Sequence, residues 1–191
     1  MRKLAYYVGV SLDGYISGPK GEADFYPVGD DMVAWMSEQY PEVLPTHVRK
    51  AVGVAVDTPN RAFDTILMGR STYDPALELG ITSPYEHMKQ YVFSRTLRAA
   101  DYPGVEITDT DPVALVRHLK TQPGLDIWLC GGGNLASQLI DEVDRLIIKS
   151  YPVIAGSGIA AFSGSFNPRQ FKVTQRREFL NGAQTTWLDR A

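Results

Sequence analysis

The chain has 191 residues, 44% of them hydrophobic and 21% charged, with a formal net charge of −3 and a pI near 5.6. That size suits one folded domain, residues 1–191, with a sizeable core, and the absent basic excess excludes a broad nucleic-acid surface. The single cysteine, Cys130, excludes an internal disulfide, and the scattered His47, His87 and His118 lack zinc-type spacing.

Residues 1–7 start with charge and turn apolar, but Ser11 and Asp13 break the run and no small-residue cleavage site follows. They read as a first strand and not as a signal peptide. No apolar segment has the length of a membrane span. The expectation is a cytoplasmic protein whose partner is a small molecule, neither a nucleic acid nor a membrane.

Leu4 to Val10 is near-continuously apolar, as a strand covered on both faces should be. Ser11-Leu12-Asp13-Gly14-Tyr15-Ile16-Ser17-Gly18-Pro19 carries turn signals and reads as a loop at the strand's C-terminal end. Residues 30–39 read as a helix with Asp30 and Asp31 at its positive end, and residues 45–52 as a weaker second helix. A buried strand over 64–69 runs into Arg70-Ser71-Thr72-Tyr73, which opens a helix ending near Gly80. Strands at 89–93 and 105–108 follow. Asp111 then caps a helix that starts at Pro112 and runs to about Thr121.

Residues 126–130 form the next buried strand, which enters Gly131-Gly132-Gly133 and a helix over 134–141. Residues 143–153 read as another buried strand, and Ala155-Gly156-Ser157-Gly158 as a flexible turn. Two alternating runs, 171–179 and 184–188, flank Asn181-Gly182, a strong hairpin signal. The alternation of strand and helix predicts an α/β fold: a mainly parallel central sheet with helices on both faces and an antiparallel C-terminal hairpin.

In such a sheet, ligands bind beyond the carboxyl ends of the strands. Three strand ends carry small or polar residues: Gly69-Arg70-Ser71-Thr72, Ser94-Arg95-Thr96 and Gly131-Gly132-Gly133-Asn134. A glycine turn at a helix N-terminus offers free N–H groups and partial positive charge to a phosphate, and it also serves as a plain connector. Arginine adds a fork of donors suited to phosphate. Three such ends on one rim point to a ligand with more than one phosphate, such as a dinucleotide. No G-x-G-x-x-G follows the first strand and no Gly-Lys-Ser/Thr triplet occurs, which excludes the usual Rossmann and Walker arrangements.

Five stretches occur in the order seen in the dihydrofolate reductase superfamily: Ser11-Leu12-Asp13-Gly14-Tyr15-Ile16, Met68-Gly69-Arg70-Ser71-Thr72-Tyr73, Phe93-Ser94-Arg95-Thr96-Leu97, Cys130-Gly131-Gly132-Gly133-Asn134-Leu135 and Tyr151-Pro152-Val153-Ile154-Ala155-Gly156-Ser157-Gly158. The chain most resembles the branch containing the C-terminal reductase domain of the bifunctional riboflavin-biosynthesis deaminase-reductase. The resemblance implies a dihydrofolate-reductase-like three-layer α/β/α fold and an NADPH-dependent reductase, with homodimers common among relatives. It implies that Gly69, Arg70, Ser71, Thr72, Ser94, Arg95 and Thr96 hold the 2′-phosphate and pyrophosphate. Gly131, Gly132, Gly133, Asn134 and Leu135 would wrap the pyrophosphate and nicotinamide ribose, and the backbone from Ile16 to Gly18 would lie beside the nicotinamide. The deaminase signature H-x-E with P-C-x-x-C is missing, so the implied activity is reductive.

The resemblance also implies a catalytic carboxylate near the first helix, for which Asp31 is the candidate and a helix-start acid the alternative. Asp24 reads as solvated, and Asp13 as bonding nearby backbone N–H groups in its turn. Cys130 reads as a small buried hydrophobe, Trp128 and Trp187 as core or interface, and Trp35 as core or cleft wall. The substrate expected is a small heterocycle, either pterin- or dihydrofolate-like or 5-amino-6-ribosylaminouracil phosphate-like. Lys20, Arg49 and Lys50 are candidates for a phosphate-binding cluster or ordinary surface charges. The alternative is a non-catalytic NADP(H)-binding module with the same fold.

Overall fold

The apolar runs become strands because each is covered from both sides. The computed structural model describes residues 1–191. In chain order its elements are β1 (Leu4–Val10), β2 (Tyr15–Ser17), α1 (Asp30–Gln39), α2 (Thr46–Arg49), β3 (Phe63–Gly69), α3 (Arg70–Glu78), β4 (Lys89–Phe93) and β5 (Glu106–Thr108). There follow α4 (Pro112–Thr121), β6 (Asp126–Gly131), α5 (Gly133–Gln138), β7 (Arg145–Ser150), β8 (Ile159–Ala160), β9 (Phe171–Glu178) and β10 (Gln184–Arg190). One eight-stranded sheet runs β5-β4-β3-β6-β1-β7-β10-β9. The strands from β5 to β7 are parallel, and β10 and β9 close one edge antiparallel. This is the expected mainly parallel α/β sheet with its C-terminal hairpin.

Alternation along β1 divides two cores. Ala5 and Tyr7 face Met32 and Trp35 of α1 and Tyr73 of α3, together with Trp128, Ile147 and Trp187. Leu4, Tyr6, Val8 and Val10 face Val116 and Leu119 of α4 and Leu135 and Ala136 of α5. Trp35 is core: its ring lies 5.6 Å from Tyr40, 5.3 Å from Phe179 and 5.7 Å from Trp187. Trp187 Nε1 donates to the Tyr40 hydroxyl at 2.8 Å, and Trp128 Nε1 to the Tyr7 carbonyl at 3.0 Å, so both indoles are buried without an orphan donor. The Asp111 cap holds, its Oδ1 accepting from Val113 N at 3.1 Å.

Several expectations need correction. The loop after β1 and the turn near Gly158 contain β2 and β8, which pair as a separate two-stranded sheet. Ladders of two or three residues are too short to leave a periodic signature. The helix expected to reach residue 141 ends at Gln138, and the strand expected over 143–153 is ordered as β only through Ser150. Arg49 is no surface charge: it is fully buried, and its guanidinium donates to the carbonyls of Val56 at 2.9 Å and Pro41 at 3.1 Å. Lys20 and Lys50 are exposed.

Near Arg49, the fully buried Glu42 accepts from the backbone N–H groups of Ala62 at 2.7 Å, Phe63 at 2.9 Å and Arg61 at 3.2 Å, anchoring the start of β3. His87 locks onto the same segment, with Nε2 2.8 Å from the Glu42 carbonyl and Nδ1 3.1 Å from Thr46 Oγ1. A carbonyl only accepts, so Nε2 carries a proton. Burial pulls the His87 pKa below its ordinary value of 6.5. The unfolded chain therefore takes up this proton first as pH falls through 6.5, and stability should decline from there until the folded ring protonates too. In His87→Gln, urea midpoints measured from pH 7.5 to 5 should show a shallower decline. An unchanged slope would remove His87 as its source.

Candidate functional site

Two helix N-termini meet at the C-terminal ends of β3 and β6. The N-cap of α3 is Gly69 and that of α5 is Gly132; neither helix has a side-chain cap or an acidic residue in its first turn. Elsewhere the chain does provide such groups, Asp111 on α4 and Asp31 on α1. The first N–H groups of α3 and α5 thus lack partners within their helices and lie at positive helix ends.

The two turns touch. A Cβ built on Gly69 would stand 3.5 Å from the Gly132 amide nitrogen, and Cβ atoms on Gly131 and Gly132 would each stand 3.5 Å from Thr72 Oγ1. Ile16 of β2 closes the same place, its Cδ1 3.9 Å from a Cβ on Gly132. Gly131 has φ +148°, a conformation side chains disfavour, so glycine is needed there for the backbone itself. Gly133 is needed for space, since a Cβ there would lie 2.1 Å from the Ala160 carbonyl oxygen of β8.

The third turn joins from the side. Arg70 pairs with Asp74 one helical turn on, and its Nη1 reaches Thr96 Oγ1 at 3.4 Å. Ser94 Oγ accepts from the backbone N–H of Thr96 and of Leu97, both at 3.2 Å, which shapes that loop from within. Arg95 and Ser71 are exposed on the same rim. Asn134 is exposed and accepts from Gln138 Nε2 at 2.7 Å, while the Leu135 side chain is buried in the α4–α5 core, leaving only its backbone for a ligand. Gly18 is buried in a turn closed by its N–H to the Glu22 carbonyl at 2.8 Å. It lines a cavity of about 270 Å³ with Phe25, Val153 and Ser157. Sequence thus placed together Ile16, Gly69, Thr72, Gly131 and Gly132, with Arg70 and Thr96 beside them.

A second cavity, about 480 Å³, lies apart from this rim, among Ser137, Ile140, Phe162, Arg169 and Phe171. No group of three or more His, Cys, Asp or Glu side chains is arranged to hold a metal ion. No helix is long and apolar enough to cross a membrane.

The acids have other work. Asp31 accepts from Met32 N at 3.0 Å and from Leu180 N at 2.9 Å, so both oxygens tie the start of α1 to the hairpin turn. That engagement fits the helix-start acid. Asp13 accepts from the Ser11 hydroxyl of its own turn at 2.6 Å and also from the distant backbone N–H groups of Ala155 at 3.0 Å and Gly156 at 2.7 Å. The Ser11 hydroxyl, ahead of those two N–H groups, holds the Asp13 carboxyl down to about 2, so it is ionised whenever the loops are joined. Cys130, just before the glycines, is pushed up to about 12 by burial and is no nucleophile.

One residue went unnoticed in sequence. Lys149 stands on the α1 side of β7, its Nζ 4.4 Å from the centre of the Tyr7 ring and 3.9 Å from Met36 Sδ. The available signal was parity: Arg145, Ile147 and Lys149 share the face that Ile147 buries, so a lysine there stands on the inner side of a parallel strand.

Comparison with known proteins agrees with this geometry. The chain is 28% identical over 189 residues to the Bacillus subtilis protein YwjB, covering 98% of each, and 29% identical to YyaP of the same organism, covering 95% of this chain and 91% of that one. Among solved structures it resembles a putative riboflavin biosynthesis protein from Shewanella sp. PV-4, with a TM-score of 0.70 at 22% identity, covering 100% of this chain and 99% of that one. It also resembles a diaminohydroxyphosphoribosylaminopyrimidine deaminase/5-amino-6-(5-phosphoribosylamino)uracil reductase from Thermotoga maritima, with a TM-score of 0.64 at 18% identity, covering 100% of this chain and 57% of that one. These two likenesses establish a shared fold. The family model of the RibD C-terminal domain matches residues 2–185, and the chain belongs to that family.

Proposed function

We propose that this chain is an NADPH-dependent reductase of a small heterocyclic substrate, of the kind handled in riboflavin synthesis. The observation that carries the reading is the contact between two uncapped, glycine-entered helix starts at Gly69 and Gly132, with Thr72 and Ile16 against them. Free N–H groups from two helices on one rim suit a pyrophosphate better than a single phosphate. Family membership and the named reductase among the fold relatives support the same class of activity.

In this reading the N–H groups of Arg70, Ser71, Gly133, Asn134 and Leu135 hold the pyrophosphate. Arg70, steadied by Asp74 and Thr96, and the exposed Arg95 take the 2′-phosphate. Ile16 and Gly18 form the wall for the nicotinamide, which supplies hydride when bound. The protein's share is to orient, to exclude water and to place charge. Asp31 has a structural role on this reading, its oxygens accepting from Met32 N and Leu180 N.

The test is titration with NADPH and NADH, followed by nucleotide fluorescence. NADPH should bind more tightly, and Arg70→Ala or Arg95→Ala should weaken NADPH by about 10- to 100-fold, the worth of a charge-assisted pair, while changing NADH by about twofold at most. Equal losses for both nucleotides would reject the 2′-phosphate role. Binding of neither nucleotide by the unaltered protein would reject the reading as a whole.

A further inference from the structure

Across β7 and β10, two cations occupy equivalent positions on one face. Arg145 lies opposite Asp189, and Lys149 lies opposite Thr185. Arg145 is fully matched, its Nε 2.5 Å and Nη2 2.9 Å from the two Asp189 oxygens. Lys149 forms no ion pair, and its only polar contact is the weak one to Met36 Sδ. Lys120 is the contrast: its side chain is 12% exposed and its Nζ meets Asp144 at 2.7 Å. An ammonium held away from bulk water without a counter-charge is costly, so its persistence needs a reason.

The surroundings offer no hidden anion. The titratable groups nearest Lys149 are Tyr7 of β1 and Cys130 of β6; burial raises both, so each stays protonated and neutral. From α1 it meets Met36, and from β10 its cross-strand neighbour is Thr185. Burial pulls the ammonium down to about 8, which leaves it mostly charged at neutral pH. Two buried hydroxyls beside it, Tyr7 OH and Thr185 Oγ1, have no hydrogen-bond partner. Buried polar atoms without partners are rare, and here two of them accompany an unpaired cation.

This cluster also sits in the right place. Cys130 directly precedes Gly131, and Lys149 is level with Gly9 near the C-terminal end of β1. It therefore lies just beneath the rim that holds the two helix starts, on the face lined by Tyr7, Trp35 and Met36. Lys149 itself is only partly buried, so its side chain keeps some contact with solvent.

We propose that Lys149 is the anion-recognising group of a substrate pocket on the α1 face, and that its ligand is a planar heterocycle bearing a negatively charged oxygen. Tyr7 OH and Thr185 Oγ1 complete the recognition as hydrogen-bonding partners. That this ligand is the reductase substrate rests on the function proposed above; the anion recognition itself does not.

The test uses barbiturate, a planar pyrimidine that is an anion at neutral pH, against uracil, a neutral ring of similar shape. Barbiturate should bind at least about 10-fold more tightly by calorimetry, as a charge-assisted contact predicts. It should shift the Lys149 Cε resonance of the unaltered protein, and uracil should not. Lys149→Met should remove the preference and Lys149→Arg should keep most of it. Equal binding of the two rings, an unmoved Lys149 signal, or a preference surviving in Lys149→Met would overturn the proposal. If NADPH fails to bind while barbiturate still selects Lys149, the reductase reading falls and the anion pocket stands; the reverse pattern separates them the other way.

Discussion

Replacing Gly133 with alanine is expected to abolish NADPH binding, beyond about 100-fold, and to destabilise the fold by about 1–3 kcal/mol, the usual range for overpacking. The added methyl would sit 2.1 Å from the Ala160 carbonyl oxygen, a backbone atom that cannot rotate away. Nor can β8 simply withdraw. Ala160 pairs with Tyr15, Ala161 N donates to the Gly14 carbonyl at 2.9 Å, and the buried Tyr6 hydroxyl donates to the Ala161 carbonyl at 3.0 Å. The strain must instead move the start of α5, which separates Gly132 from Thr72 and Ile16 and so opens the grip. Urea unfolding and nucleotide titration on the same sample check both halves. If Gly133→Ala binds NADPH like the unaltered protein, the start of α5 does not hold the pyrophosphate.

Glu42→Ala should be more destabilising, by about 3–5 kcal/mol, the range for removing one member of a buried charged network. It strips the acceptor from the N–H groups of Arg61, Ala62 and Phe63, and it takes away the nearest negative charge from the buried Arg49. Orphaned buried donors bear the full desolvation penalty. Glu42→Gln keeps one oxygen for the paired acceptances from Ala62 and Phe63 and should lose markedly less. The measurement is the urea midpoint at constant slope. A loss under about 1 kcal/mol in Glu42→Ala would show that water or a relaxed backbone satisfies those groups.

What could be read from sequence followed from how far each signal reaches. The strand at Leu4–Val10, the Asp111 cap and the Asn181-Gly182 hairpin are each decided within a few residues, and each stands. The glycines at 131–133 were legible as a turn, but the reason for Gly133 lies in Ala160, far along the chain. Arg49 looked like a surface charge because its partners are carbonyls of an irregular segment, which no pattern of side chains announces. Asp13 was placed in its turn, where it accepts from Ser11, but it also bonds residues 155 and 156 on the other loop of the site. Lys149 was hidden inside an apolar run. Local periodicity finds elements; partners that meet only through the sheet are outside its reach.

The position of β1 between β6 and β7 has a consequence for how the protein is made. Strand β1 has both neighbours more than a hundred residues downstream, with Leu4 matched to Ile127 and Ala5 to Arg145. Such a topology has a high contact order, and closing those long loops sets the pace of folding. A nascent chain lacking β7 has neither a flanked β1 nor the Ala160 wall behind α5. The rim at the ends of β3 and β6 should therefore become ordered only after β7 and β8 have been made.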